Sequence, residues 1–253
     1  MQQKFAGYCT ALLLMVLFLS GCKKFEKEGH LQQAGIVLTF DDNNIENWYH
    51  SLDFLDSNGI RATFYISKYR GFTADQKTKL MAIQSRGHEI GYHTVNHYNM
   101  VDYVYKYHHT IAELVQNEIT AGLALMNRDG LYPKTFAYPF GSHCDAIDNS
   151  LKRYFKSVRV LNGTNDYAKS LAPTDKNELL YGFGLDKSSN HTDGTIEKLL
   201  RSAKNNSACA ILVGHKINSN INLSVSNERL KKIAALAKEL NLKFYTASEI
   251  SVK

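Results

Sequence analysis

The chain predicts an α/β fold, a distorted (β/α) barrel with seven or eight mostly parallel strands. From Gly35 onward, short β-branched and aromatic runs alternate with helical patterns, the signature of repeated βα units around a parallel sheet. The alternation fills most of a 253-residue chain that is 44% hydrophobic and 21% charged, enough for one sizeable core and slightly short of the usual ~250-residue barrel. An open doubly wound sheet is the main competitor. No Gly-x-Gly-x-x-Gly follows the first strand, where a nucleotide-binding member of that class would need backbone amides.

In chain order the predicted strands are Ile36 to Phe40, Ala62 to Ser67, Glu89 to His93, Thr135 to Tyr138, Ser157 to Leu161, Leu180 to Leu185, Ala210 to Val213 and Lys243 to Thr246. Helices are expected near Ile45 to Ser57, Ala74 to Arg86, Tyr105 to Asn127, Ala146 to Tyr154, Gly194 to Asn205 and Asn227 to Leu240. Thr192 and Ser226 suit N-caps because a hydroxyl can accept from the first free amides. Gly59, Gly87 and Gly130 suit helix stops because glycine takes the left-handed conformation without strain.

The first 21 residues are different in kind. Lys4 supplies positive charge, Ala11 to Leu19 are an unbroken apolar run, and Leu19-Ser20-Gly21-Cys22 follows. The run is too short for a mature membrane span and fits a secretory signal. Its end resembles the lipobox of bacterial lipoproteins, which implies an acylated Cys22, a polar tether over residues 22–34, a catalytic domain over 35–253, and an exported protein held to the cell envelope by lipid. Only Cys144 and Cys209 then remain in the domain. Cys144 follows the fourth strand and Cys209 opens the seventh, so both are expected as free thiols. The net charge of +6 comes from scattered lysines without an Arg-rich stripe, which argues against a nucleic-acid partner.

The residues able to do chemistry sit at the C-terminal ends of predicted strands, where barrel enzymes assemble their sites. Asp41 and Asp42 close the first strand within Thr39-Phe40-Asp41-Asp42. Neighbours leaving a strand point in different directions, so one carboxylate can hold a metal while the other serves as a base. Capping of the next helix is the ordinary alternative for such a pair. His93 and His97 follow the third strand at i, i+4, a spacing that puts both rings on one face if the segment is helical. Thr94 stands where a zincin would carry its glutamate, so a base would come from elsewhere. Two imidazoles and one carboxylate leave a coordination position open, as in hydrolytic rather than structural metal sites. Phe136 to Gly141, Phe-Ala-Tyr-Pro-Phe-Gly, can present a backbone N–H as an oxyanion donor, and His215 ends a buried strand as a possible proton donor.

Taken in this order, the set resembles the NodB-homology polysaccharide deacetylases, carbohydrate esterase family 4, over about Gly35 to Ile250. Thr-Phe-Asp-Asp and His-Thr-x-x-His are matched in full. The resemblance implies Asp41 as general base, Asp42, His93 and His97 as ligands of a divalent ion such as Zn2+, the Phe140 amide as oxyanion donor and His215 as general acid. Two motifs depart. Ala137-Tyr138-Pro139-Phe140 stands where the family has Arg-x-Pro-Tyr, and no Asp-rich motif with a tryptophan follows. The arginine that orients the base is therefore missing at position 137, and Asp186 or His143 are the candidates to replace it. Val213-Gly214-His215 loosens the Leu-x-His ending.

The function expected is metal-dependent removal of N-acetyl groups from amino sugars of an envelope or extracellular polysaccharide. An O-acetyl esterase acting on xylan-like glycans shares the same tetrahedral intermediate. A glycan-binding lipoprotein without turnover is the reading from another class, motivated by Ala137. Trp48, Tyr92, Tyr98, Tyr103 and Tyr138 are the aromatics available to line a sugar groove, though tyrosines also pack cores.

Overall fold

Strand β1, Gly35–Asp42, sets the architecture by simple alternation. Ile36, Leu38 and Phe40 pack outward into the core beneath the helices, while Val37 belongs to a second, inner cluster; the same period of two sends Thr39 and Asp41 to the inside. The computed structural model describes residues 33–164, 166–173 and 178–251. The further strands are β2 (Thr63–Ile66), β3 (Glu89–Tyr92), β4 (Thr135–Ala137), β5 (Ser157–Leu161), β6 (Leu171–Ala172), β7 (Leu179–Gly184), β8 (Cys209–Gly214), β9 (Lys216–Ile217), β10 (Ser224–Val225) and β11 (Lys243–Tyr245).

Parallel pairing runs β1-β2-β3-β4-β5-β7-β8, and β8 returns to β1 with Gly35 opposite Cys209 and Phe40 opposite Gly214. Seven parallel strands thus close a barrel. The eighth predicted strand, β11, pairs only with Gly35 to Val37, and β2 takes over the same edge of β1 at Thr39. On the far side, β6 runs antiparallel to the first residues of β8, and β7 joins β8 only at Phe183 and Gly184. Both short strands lie at the start of the barrel, so its C-terminal mouth is lined by the seven long-range parallel partners alone. The two-stranded β9–β10 unit follows β8.

Thr192 and Ser226 cap the helices Asp193–Asn205 and Asn227–Glu239 as expected, each accepting from the amide three residues on. Gly59, Gly87 and Gly130 all carry positive φ. Two expected helices are interrupted. The first divides at Ser51 into Ile45–His50 and Leu52–Ser57. The span expected from Tyr105 to Asn127 begins earlier, as the π-helical turn Asp102–Lys106. It breaks around His108 (φ 59°) and restarts at Ile111 behind a Thr110–Glu113 capping box. Cys144 and Cys209 are free. At the start of the domain, Gln33 donates to the Asn241 carbonyl at 2.7 Å and the Ala34 carbonyl accepts from Lys243, so the last two residues assigned to the tether already belong to the barrel. The lipobox and the rest of the tether lie outside the described residues.

Candidate active site

Asp42, His93 and His97 bring one carboxylate oxygen and two ring nitrogens within 4.8 Å of one another at the barrel mouth. The His97 Nε2 lies 3.1 Å and the His93 Nε2 3.7 Å from Asp42 Oδ1. Convergence comes from loop geometry, not from the helical face that i, i+4 spacing suggests. Residues 93–97 form a turn in which Thr94 and His97 have φ of 73° and 63°, and the His97 amide donates to Thr94 Oγ1 at 2.9 Å. Asp42 itself has φ 88°. Left-handed backbone at non-glycine residues costs free energy, and such residues gather where a site holds them in place. The end of β2 ties the two loops together: Ser67 N–H donates to the Asp42 carbonyl at 2.9 Å and Lys68 N–H to the Thr94 carbonyl at 3.2 Å.

The protonation states suit a cation. Burial drives the His93 pKa down to about 4, against the opposing pull of Asp41, so its ring is neutral at pH 7. Its Nδ1 lies 2.7 Å from the Ala137 carbonyl, which leaves Nε2 as the nitrogen with a free lone pair. Burial alone would raise Asp42, but the His97 hydrogen bond and the neighbouring imidazoles outweigh it and hold the carboxyl near about 2. An anionic Asp42, a neutral His93 with its Nε2 lone pair free and a second imidazole from His97 form a donor set that fits a divalent ion of the Zn2+ type.

A further support reaches this loop from below. Glu118, buried in the π-helical turn Val115–Thr120, accepts from the Asn96 amide at 2.8 Å and from Asn96 Nδ2 at 2.5 Å, while its carbonyl accepts from Tyr92 Oη at 2.7 Å. Gly122 lies so close to that phenol that a Cβ would collide with it.

Asp41 points inward, separated from Asp42 as expected of consecutive strand residues. Its Oδ2 accepts from Arg159 Nη2, and its Oδ1 is buried with no protein partner among the described residues. Arg159 lies fully buried on β5 beside Ala137 of β4 in the sheet register, with its guanidinium over the Tyr65 ring. Gly182 makes the room, since a Cβ there would press on Val213 and the Arg159 side chain. An arginine thus reaches Asp41 from one strand over, on β5 instead of β4. Asp186 and His143 do not replace it. Asp186 accepts from the His215 amide at 3.2 Å and sits 2.6 Å from His215 Nδ1, while His143 pairs with Asp148 at 2.9 Å. Burial alone would lower the His215 pKa, but the Asp186 hydrogen bond and the charges of Asp41, Asp186 and Asp42 raise it above the ordinary histidine value. Phe140 stands at the mouth with φ 60°, its ring 4.9 Å from that of His97.

The family description "Polysaccharide deacetylase" matches residues 28–155, just over half of the chain, and takes in Asp41, Asp42, His93 and His97. The chain belongs to the polysaccharide deacetylase family. Among curated relatives, a peptidoglycan-N-acetylglucosamine deacetylase of Bacillus cereus is 28% identical over 159 residues, covering 60% of this chain and 53% of its own. A chitin deacetylase of Pestalotiopsis sp. is 37% identical over 62 residues, covering 24% of this chain and 21% of its own. The chain therefore spans about half or less of these relatives. A peptidoglycan deacetylase of Bacillus subtilis superposes with a TM-score of 0.57 at 16% identity, covering 87% of this chain and 90% of that one. A family 4 carbohydrate esterase from Streptomyces lividans, in complex with acetate, gives 0.54 at 17% identity over 85% and 94%. These likenesses establish the fold, a deacetylase-type barrel.

Within this family frame, the aromatic residues expected to line a sugar groove are mostly core. Trp48, Tyr92, Tyr138 and Tyr103 are buried, and only Tyr98 is exposed. Trp48 acts from beneath, donating to the His215 carbonyl at 2.7 Å.

Proposed function

We propose that this polysaccharide deacetylase hydrolyses N-acetyl groups on amino sugars of a cell-envelope or extracellular glycan. The observation that carries the proposal is the asymmetric binding of Asp41: one oxygen is held by Arg159, and the other is buried beside the Asp42–His93–His97 set with no partner among the described residues.

Asp42, His93 and His97 would hold a divalent cation, most simply Zn2+, which when bound supplies Lewis acidity and makes water acidic enough to ionise near neutral pH. Asp41 takes the proton of the attacking water through Oδ1, because Oδ2 is committed to Arg159. The left-handed turn at Phe140 places that residue against His97, where its amide can face the oxygen on which charge develops. His215 donates the proton that the departing amine needs, and Asp186 holds the ring through Nδ1 so that Nε2 is the donor. Retention of this whole proton-transfer apparatus favours an enzyme over a binding protein that lost turnover.

The test is acetate release from N-acetylglucosamine oligosaccharides by the metal-loaded protein, compared with O-acetylated xylo-oligosaccharides. Release from the first and an Asp41→Asn variant slower by at least about 10²-fold are expected. Full activity in that variant, or release from the ester substrates alone, overturns the assignment. The lipobox supports attachment to the envelope through Cys22, and a Cys22→Ala chain is expected to leave the membrane fraction.

A further inference from the structure

Arg159 and Asp41 meet through a single pair of atoms, and one contact point is a hinge. Arg159 Nη2 donates to Asp41 Oδ2, while Arg159 Nε and Nη1 are buried with no hydrogen-bond partner among the described residues. A guanidinium carries its N–H donors in a rigid fork, and a bidentate grip would fix the planes of both groups at once. Only one donor is engaged here, so the plane of Arg159 has to be fixed by something other than Asp41. The second contact is the ring of Tyr65. The guanidinium carbon stands over that ring at 5.4 Å from its centroid, inside the range of about 6 Å in which an aromatic face attracts a cation. Both side chains are fully buried, where the attraction is least screened. Burial, with the Glu89 charge adding to it, pushes the Tyr65 pKa far above the ordinary value, so the ring meets Arg159 as a neutral face.

The barrel interior is shaped around this contact. In the sheet register Tyr65 of β2 stands between Asp41 of β1 and Gly91 of β3. A Cβ at Gly91 would lie 2.4 Å from Tyr65 Cδ1, so the ring occupies room that only glycine leaves. One layer down, Glu89 accepts from Thr63 Oγ1 at 3.0 Å, from Thr135 Oγ1 at 2.9 Å and from the Ser248 amide at 2.9 Å, which ties β2, β3 and β4 together beneath the ring. Tyr65 Oη, by contrast, is buried with no hydrogen-bond partner among the described residues. What the residue offers Arg159 is therefore its face and not its hydroxyl.

We propose that Tyr65 is a positioning residue for the deacetylation: its ring fixes the plane of Arg159, and Arg159 in turn holds Asp41 with Oδ1 toward the reacting water. Tyr65 acts only through Arg159. The inference rests on the reading of Asp41 as the base and names the part of the fold that aims it. A residue that merely filled the barrel would be replaced equally well by an aliphatic side chain. One that anchors a cation has to be aromatic.

The experiment is kcat and KM for N-acetylglucosamine oligosaccharides on the wild-type chain, on Tyr65→Phe and Tyr65→Leu, and on chains carrying phenylalanine with one, two or three ring fluorines at position 65. Fluorine withdraws negative potential from the ring face at nearly constant volume. Tyr65→Phe is expected to keep kcat within about twofold, and Tyr65→Leu to lower it by about threefold to 30-fold with KM and Zn2+ affinity unchanged. Each added fluorine should lower kcat by a further step, a series that decides the matter even if Tyr65→Leu fails to fold. In an Arg159→Met background, Tyr65→Leu should cost little more. The Arg159 Nε–H resonance reports the contact without turnover: shifted by the ring current in wild type and Tyr65→Phe, it is expected to move toward the free-arginine position in Tyr65→Leu. Wild-type kcat in Tyr65→Leu, a flat fluorine series, or the same loss with and without Arg159 overturns the proposal. Full activity in Asp41→Asn, with the Arg159 resonance still ring-shifted in the wild type, removes the base itself. A slow Asp41→Asn beside an unimpaired Tyr65→Leu removes only the role given to Tyr65.

Discussion

The two halves of the active site are built on different principles. On one side, Asp42, His93 and His97 come from two loops and meet through left-handed turns, each side chain half-buried or buried and held mainly by nearby backbone. On the other, Asp41 is matched to Arg159 and His215 to Asp186, charge against charge, with partners drawn from β1, β5, β8 and the end of β7. A ligand set needs only to converge, because the cation supplies the charge. A proton-transfer group must be ionised and aimed before substrate arrives, and in a buried mouth that requires a second charge from elsewhere in the fold.

The largest effect should come from breaking the ligand half. Exhaustive chelation, or His93→Ala, is expected to lower acetate release by at least about 10³-fold. Added Zn2+ should restore the chelated wild type and not the variant. Turnover unaffected by chelation would remove the cation from the chemistry. In either case the Asp41–Arg159 pair remains, so the loss measures the ligand half alone.

Breaking the other half tests whether Arg159 does the work of an arginine at position 137. Arg159→Met should lower kcat by about 10²-fold with little change in metal affinity, because Asp41 keeps its place in the chain and loses its clamp. It also leaves a buried carboxylate unpaired, which costs about 3–5 kcal/mol and is read as a lower Tm. Ala137 and Arg159 stand side by side in the β4–β5 register, and both face the barrel interior. Ala137→Arg combined with Arg159→Ala should therefore recover part of kcat, and its failure at a restored Tm would deny the equivalence.

Between the halves lies Glu118, which supports the ligand loop without touching a ligand. Glu118→Gln removes the charge and places a donor against the two Asn96 N–H groups. Metal affinity is expected to weaken by about tenfold to 100-fold, measured by titration with Co2+ or Zn2+, while activity at saturating metal falls less. Equal affinity in wild type and variant would show that the turn at Thr94 and His97 holds without its support.

The same contrast explains what was legible in the sequence. Period-two runs place the seven barrel strands and β11 within a residue or two, and hydroxyl caps and glycine stops place the helix ends, because these signals are local. β6, β9 and β10 are two residues each and carry no period. Asp42, His93 and His97 could be named from short motifs, yet the turn that joins them depends on Thr94 and His97 adopting a conformation no residue type announces. Arg159 was open to inference and missed. Within Ser-Val-Arg-Val-Leu, the flanking Val158 and Val160 face the helices, so alternation in a closed barrel sends the arginine inside, where a charge must find a partner. Asp186 stands in the sequence as one of two candidates to support Asp41, and its pairing with His215 is visible only once β7 lies against β8.

The smallest expected effect, and the one that sharpens the comparison most finely, is a change in pH dependence. His215 must carry a proton to serve the leaving amine, and its pKa is raised chiefly through Asp186 once burial has been overcome. A cation on Asp42 would cancel much of that carboxylate's pull, which leaves the Asp186 hydrogen bond as the leading influence, with the charges of Asp41 and Asp186 behind it. Raising the pKa extends activity toward alkaline pH, and activity is lost as pH climbs through it. In Asp186→Asn the alkaline limb of kcat is therefore expected at lower pH, with at most about a tenfold loss at neutrality that narrows toward pH 5. His93 near about 4 and Asp42 near about 2 do not titrate in that window, so the displaced limb belongs to neither. A limb that stays in place would mean that Asp186 orients the ring without setting its charge, and that this half of the site, like the ligand half, works by position alone.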